Sequence, residues 1–184
     1  MTVYELWLPI LLGGLAVHVA STIAWIVLPH HKPDWQKLPV EDEFQDWIAE
    51  RGVPAGQYLV PHATDGAEMQ SDAFQEKMQG KCRGMLVLWS TPPNMGANIG
   101  LTLAFFMVST FVIGYLASLG VPRGAEFLDV FQFVFTAAFL THVFAGLPTV
   151  IWFRRKVAMD LLDGLAYSVI LGLIFAALWP AATA

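Results

Sequence analysis

The chain is 184 residues long, 56% hydrophobic and only 14% charged, whereas an ordinary globular domain is about 45–50% apolar and about 25% charged. Its formal net charge of −5 excludes nucleic acid as a partner, because phosphate binding rests on clustered Lys and Arg that release counterions. A single cysteine, Cys82, excludes an internal disulfide, a CxxC zinc pair and a CxxCH haem attachment.

A helix rises about 1.5 Å per residue and the hydrocarbon core of a bilayer is about 30 Å thick, so about 20 apolar residues are needed to cross it. The first stretch that qualifies is residues 7–29, WLPILLGGLAVHVASTIAWIVLP, which contains no Lys or Arg. No basic segment precedes it and no A-x-A-like cleavage site follows, so it is expected to remain as a helix and not to be removed as a signal peptide. Gly14, His18, Ser21 and Trp25 share one face of this helix, and Ala16, Ala20 and Ala24 form a weak repeat of small residues.

Residues 30–97 are too many for a turn and alternate patterned segments with breakers, which predicts a small folded α+β insertion. EDEFQDWIAERG reads as an amphipathic helix with Phe44, Trp47 and Ile48 on one face and Gly52 as its stop. SDAFQEKMQG reads as a second helix capped by Ser71, and QYLV and MLVLW as two short strands that pair as a hairpin. His30 and His31 are expected at the membrane interface, in solvent. His62, Asp65, Met69 and Cys82 match no zinc-ligand spacing and are expected to be ordinary solvent-facing groups.

The second span is residues 98–120, for which Thr91 is the expected cap and Pro92 and Pro93 suit a first turn whose backbone donors are unpaired. The third is residues 130–153, in which Pro148 frees the carbonyl of Phe144 and predicts a kink near His142. The fourth is residues 161–180. Here Gly164, Ser168, Gly172 and Ala176 recur every four residues, a stripe of small side chains that lets another backbone approach. The stripe serves either an oligomer or partner interface or contacts inside the chain's own bundle. Asp160 and Asp163 stand at the start of this helix near Arg154 and Arg155, where helix capping and ion pairing account for both.

Trp7, Trp25, Trp152 and Trp179 lie near span ends, at headgroup depth. Lys32, Lys37, Lys81 and Arg83 flank the long insertion, and Arg154, Arg155 and Lys156 join spans three and four on the same side, against Arg123 on the other. The positive-inside rule then puts the insertion in the cytoplasm and both termini outside, in the periplasm.

Ionisable side chains at membrane depth are costly and are functional candidates by default. His18 and His142 each lie about eleven residues from the cytoplasmic end of their spans, hence about 16 Å deep at 1.5 Å per residue. Two imidazoles at one level are suited to ligating a haem b iron or a metal ion, or to relaying protons. They serve equally as structural residues bonded to a backbone carbonyl or to hydroxyls such as those of Ser21, Thr22 and Thr141. No GxSxG elbow, HExxH pair or phosphate-cradling loop is present, so no catalytic residue, no dedicated metal site and no enzymatic activity are expected, and no cofactor unless the two histidines take haem.

Gly56-Gln57-Tyr58 with Pro61-His62, Pro92-Pro93-Asn94-Met95-Gly96, Leu162-Asp163-Gly164-Leu165-Ala166-Tyr167 and Leu178-Trp179-Pro180 resemble a pattern found in an uncharacterised family of small four-helix bacterial inner-membrane proteins. The resemblance spans most of the chain. It implies a bacterial cytoplasmic membrane and the same layout, and it carries no activity. The expected fold is an all-α membrane protein of four transmembrane helices with a small α+β cytoplasmic insertion between helices 1 and 2. The expected role is a non-enzymatic protein solvated by membrane lipid, either a homo-oligomer or an accessory subunit of a larger membrane complex. The alternatives are a haem- or metal-binding redox protein using His18 and His142, and a small transporter or channel. A transporter would need more intramembrane polar residues and an inverted repeat that the chain does not display.

Overall fold

A computed structural model describes residues 1–80 and 82–182; Lys81, one of the basic residues used above to orient the chain, and the last two residues lie outside the described residues. A 3-10 turn, Val3–Leu6, leads into helix α1 (Trp7–Thr22). This helix ends in a widened turn, Ile23–Val27, whose last bond runs from Leu28 N–H to the carbonyl of Ile23, five residues back, at 2.9 Å. Pro29 lacks the donor that would carry the helix on, and the chain turns through a short 3-10 segment, Lys32–Asp34.

The insertion follows, as α2 (Glu41–Glu50), β1 (Gly56–Val60), α3 (Gly66–Gln70), α4 (Asp72–Gly80) and β2 (Gly84–Leu88). Gly52 takes φ +60° just past α2, the left-handed conformation that stops a helix and that only glycine adopts freely. Ser71 Oγ accepts from Phe74 N–H at 3.2 Å and so caps α4 as expected. The two strands pair antiparallel, Tyr58 opposite Leu86, but α3 and α4 separate them, so the pair is not a hairpin.

The remaining helices are α5 (Met95–Gly120), α6 (Phe127–His142), α7 (Leu147–Phe153) and α8 (Ala158–Ala177). The cap of α5 is not Thr91. Asn94 Oδ1 accepts from Ala97 N–H at 3.0 Å, and Pro92 and Pro93 stay outside the helix. An Asn immediately before a Met-Gly-Ala start satisfies an orphan amide directly, which two prolines cannot do. The third span is broken and not merely kinked: α6 ends at His142, a 3-10 turn covers Phe144–Gly146, and α7 restarts with Pro148 in its first turn. Proline there removes the hydrogen bond to Phe144 and its ring crowds that carbonyl, so ending one helix and opening another costs least.

Four helical stretches, Val3–Val27, Met95–Gly120, Phe127–Phe153 and Ala158–Ala177, are long and apolar enough to cross a membrane. They begin up to four residues before the apolar runs 7–29, 98–120, 130–153 and 161–180, because a helix starts at its cap and hydropathy marks only where polar residues end.

Two compact units result, Met1–Gln36 with Asn94–Ala184, and Lys37–Pro93. The boundary falls at Lys37 and not at His30, leaving His30 and His31 in the helical unit. In that unit α8 packs most extensively on α6, and α1 lies against α5 and α8. The core is formed by Leu6, Ile10, Val17, Ile113, Val130, Val134, Leu171 and Phe175.

The small-residue stripe of α8 is consumed in these contacts. A Cβ on Gly164 would stand 2.6 Å from the carbonyl oxygen of His142, and one on Gly172 would stand 2.8 Å from the Phe131 ring. Ser168 and Ala176 are buried, and Ser168 Oγ donates to the carbonyl of Gly164 at 2.7 Å. Of the two readings of Gly164, Ser168, Gly172 and Ala176, the contacts within the chain's own bundle are formed at Gly164, against His142 and Val143, and at Gly172, against Phe131. Close helix approach needs small residues wherever it occurs, between copies or within one. In the insertion unit no described residue is fully buried, as befits a small unit with little core.

Candidate functional site

The turn that ends the first span and the head of α8 meet at one group of side chains. His31 Nε2 lies 2.9 Å from Asp163 Oδ2, His30 Nε2 lies 3.0 Å from Asp163 Oδ1, and His31 Nδ1 lies 2.9 Å from Asp34 Oδ2. The widened turn before Pro29 sets the phase in which both histidines face α8, and the 3-10 turn brings Asp34 back under His31. Trp25 stacks on the His31 ring at 3.9 Å with planes 10° apart. Lys156 donates to the carbonyl of Pro33, tying the segment before α8 to this turn.

Burial is graded across the group. His31 is 5% exposed and Asp163 9%, while His30 and Asp34 are half-buried. The positions given above as solvated histidines and as a helix-capping carboxylate are thus one polar cluster. Asp163 does not pair with Arg154 or Arg155; Asp160 takes Arg155, at 3.6 Å.

Proton bookkeeping defines the charge of His31. Ionised carboxylates only accept hydrogen bonds, and a neutral imidazole has one donor. His31 faces a carboxylate with each ring nitrogen and satisfies both only as imidazolium. Burial is the largest influence on His31 and opposes that charge, but the hydrogen bonds to Asp163 and Asp34, with the fields of Asp163 and Asp160, outweigh it and raise its pKa above the ordinary value. Two carboxylates, Asp163 and Asp34, thus face the two ring nitrogens of His31, and Asp163 also takes His30. The ligand atoms of His30, His31 and Asp163 lie within 4.8 Å of one another, and no other set of three or more His, Cys, Asp or Glu groups converges in this way among the described residues.

The histidines of the apolar helices, His18 and His142, stand elsewhere. The rings of His18 and His142 both pack against buried Phe106, with centroids at 6.3 Å and 5.9 Å, and His142 also meets Tyr167 edge-on at 6.0 Å. The neighbouring hydroxyls do not serve the histidines, because Thr22 donates to the carbonyl of His18 and Thr141 to that of Ala137. His18 Nδ1, His142 Nε2 and Thr110 Oγ1 are buried atoms with no partner in the protein among the described residues. In the insertion, Asp65 caps α3, accepting from Glu68 N–H at 2.8 Å, and Cys82 is exposed, so neither is drawn into a ligand set with His62 and Met69.

A signal for the cluster was present in the sequence. His30-His31-Lys32-Pro33-Asp34 ends the first span, and Asp163 opens the fourth on the same side. Assigning each residue separately to the interface concealed that antiparallel spans bring these ends together. The chain matches no protein-family model, no curated protein and no solved structure in the comparisons made.

Proposed function

We propose that the chain is a multi-pass protein of a bacterial cytoplasmic membrane that binds a cation in the cluster of His30, His31 and Asp163 at the cytoplasmic mouth of its helical bundle. Lipid solvation is supported by the outward faces of the helices, where Leu101, Val108, Leu119 and Ile151 are each more than 60% exposed. Soluble monomers rarely present apolar surface that is so continuous. Lys32, Arg154, Arg155 and Lys156 gather at the cluster's end of the bundle, while Arg123 at the other end is paired with Glu5. By the positive-inside rule the cluster then faces the cytoplasm and the termini face outward.

The observation that carries cation binding is the placement of His31 between two carboxylates, one of which also holds His30. Partly buried carboxylates are unfavourable unless positive charge and hydrogen bonds compensate them, and a cation held between His30, His31 and Asp163 supplies both charge and ligation. A binding role of this kind is non-enzymatic. Self-association and service as an accessory subunit draw less support from the stripe on α8, whose Gly164 and Gly172 meet α6 of the same chain.

Two measurements test the reading. After an alkaline carbonate wash the protein stays in the membrane pellet; release into the supernatant defeats membrane insertion. Tag-free protein in detergent, dialysed against a mixture of mono- and divalent cations and analysed for elements, retains a stoichiometric cation that Asp163→Asn loses. Retention no greater than that of a detergent blank defeats cation binding.

A further inference from the structure

Resting on the cation-binding reading above, we propose that the ion is a divalent transition metal of the zinc type, ligated by Nε2 of His30, Nε2 of His31 and the carboxylate of Asp163. The donor set decides the class. Two imidazole nitrogens with one carboxylate suit zinc and its first-row neighbours, whereas calcium and magnesium take shells of oxygen from carboxylates, carbonyls and water.

The spacing is close to what such an ion needs. Zinc bonds of about 2.0–2.1 Å at a tetrahedral angle place neighbouring ligand atoms about 3.3 Å apart. The two nitrogen–oxygen separations here, each to a different oxygen of Asp163, are 2.9 and 3.0 Å, and all the ligand atoms lie within 4.8 Å of one another, so an ion between them is reached by side-chain adjustment alone. The metal takes the place of the protons that these nitrogens share with Asp163, and those protons leave to solvent.

The surroundings of His31 are those of a metal ligand. Its Nδ1–H donates to Asp34 at 2.9 Å, which fixes the tautomer that leaves Nε2 free to coordinate and raises its basicity, the usual carboxylate–histidine–metal arrangement. Trp25 stacked at 3.9 Å holds the ring plane. The ligands come from the end of one span and the head of another, so the helical bundle assembles the site in advance. Three protein ligands leave a coordination position for water or an exchanging ligand, as in zinc sites that are not purely structural. The side chain of His30, 21% exposed, gives that position a way to solvent.

The test uses tag-free, full-length protein in detergent, with the metal alone as probe. Cobalt(II) should bind stoichiometrically with the intense visible absorption of a four-coordinate site, and zinc should displace it. His31→Gln and Asp163→Asn should abolish binding, and Asp34→Asn should weaken it about 10–100-fold without changing the stoichiometry. Should a substitution unfold the protein, X-ray absorption at the zinc edge of the unaltered chain reads imidazole scattering directly. A shell without imidazole overturns the proposal, and so does cobalt binding that survives the His30→Gln/His31→Gln double substitution. Retention of magnesium or calcium alone overturns the zinc-type assignment and leaves cation binding standing, whereas retention of no cation removes both.

Discussion

His31 Nε2 stands 2.9 Å from Asp163 Oδ2, so the segment leaving the first span is fastened to the head of the last across 132 residues of chain. Asp163 receives His30 through its other oxygen. Hydrogen bonds with charged partners contribute about 1.5–3 kcal/mol each, and losing one partner leaves the other buried and unmet. Asp163→Asn, which keeps the shape but removes the charge, is therefore expected to lower the stability of the metal-free protein by about 1.5–3 kcal/mol. Thermal unfolding in detergent checks this; an unchanged midpoint would show that the cluster contributes nothing to the fold.

The same pair sets a pH dependence whose sign follows from the direction of the His31 shift. Its pKa is raised in the folded state above the ordinary 6.5, with burial opposing and Asp163, Asp34 and Asp160 prevailing. A raised pKa means stabilisation that is complete below the unfolded value and is lost as pH climbs through the folded one. His30, the other titratable neighbour, lies with its ring 4.4 Å from that of His31. In metal-free protein the melting temperature should fall as pH rises from about 6.5 into the alkaline range, and Asp34→Asn should flatten that fall. A midpoint that rises over this interval contradicts the assignment of His31 as imidazolium.

The close approach of α8 to α6 makes a prediction about glycine. A Cβ at position 164 would stand 2.6 Å from the backbone oxygen of His142, an atom that no rotamer change can move. Gly164→Ala should cost about 1–3 kcal/mol through strain of the overpacking kind. Native mass spectrometry should find the same oligomeric state for Gly164→Ala and the original chain. A change of state with unaltered stability would restore the stripe to an intermolecular role.

These residues show how far the sequence could be read. The four apolar runs were legible as long helices because length and hydropathy alone set them apart, and the two strands and the helix stop at Gly52 were legible from local punctuation. Pro148 was legible as an interruption, although whether a proline kinks or breaks a helix depends on whether a neighbour straightens it. The destination of the α8 stripe was not legible, since small-xxx-small spacing is the same within a chain and between chains. The cluster escaped because its members are 132 residues apart and each has an unremarkable local explanation. His18 and His142 attracted notice by their depth, yet what their rings share is Phe106.

The start of α5 separates two sequence-level candidates. Asn94 accepts from Ala97 N–H, while Thr91 precedes the prolines and lies outside the helix. Asn94→Ala should cost about 0.5–2 kcal/mol, the ordinary worth of an N-cap, and Thr91→Ala should leave stability unchanged. Equal effects in urea or heat denaturation would mean that the cap assignment is wrong.

Trp25 offers a further check on the charge of His31, because an indole face attracts a cation and is nearly indifferent to a neutral ring. The stacking distance of 3.9 Å and the near-parallel planes bring the imidazolium within the range where such attraction contributes about 0.5–2 kcal/mol. Trp25→Leu keeps apolar bulk and removes the π face. The destabilisation it causes in metal-free protein should be larger at acidic pH, where His31 is charged, and should shrink as pH rises and the ring becomes neutral. Melting curves of the two proteins across that range supply the comparison. A gap independent of pH would mean that Trp25 acts on His31 through packing alone.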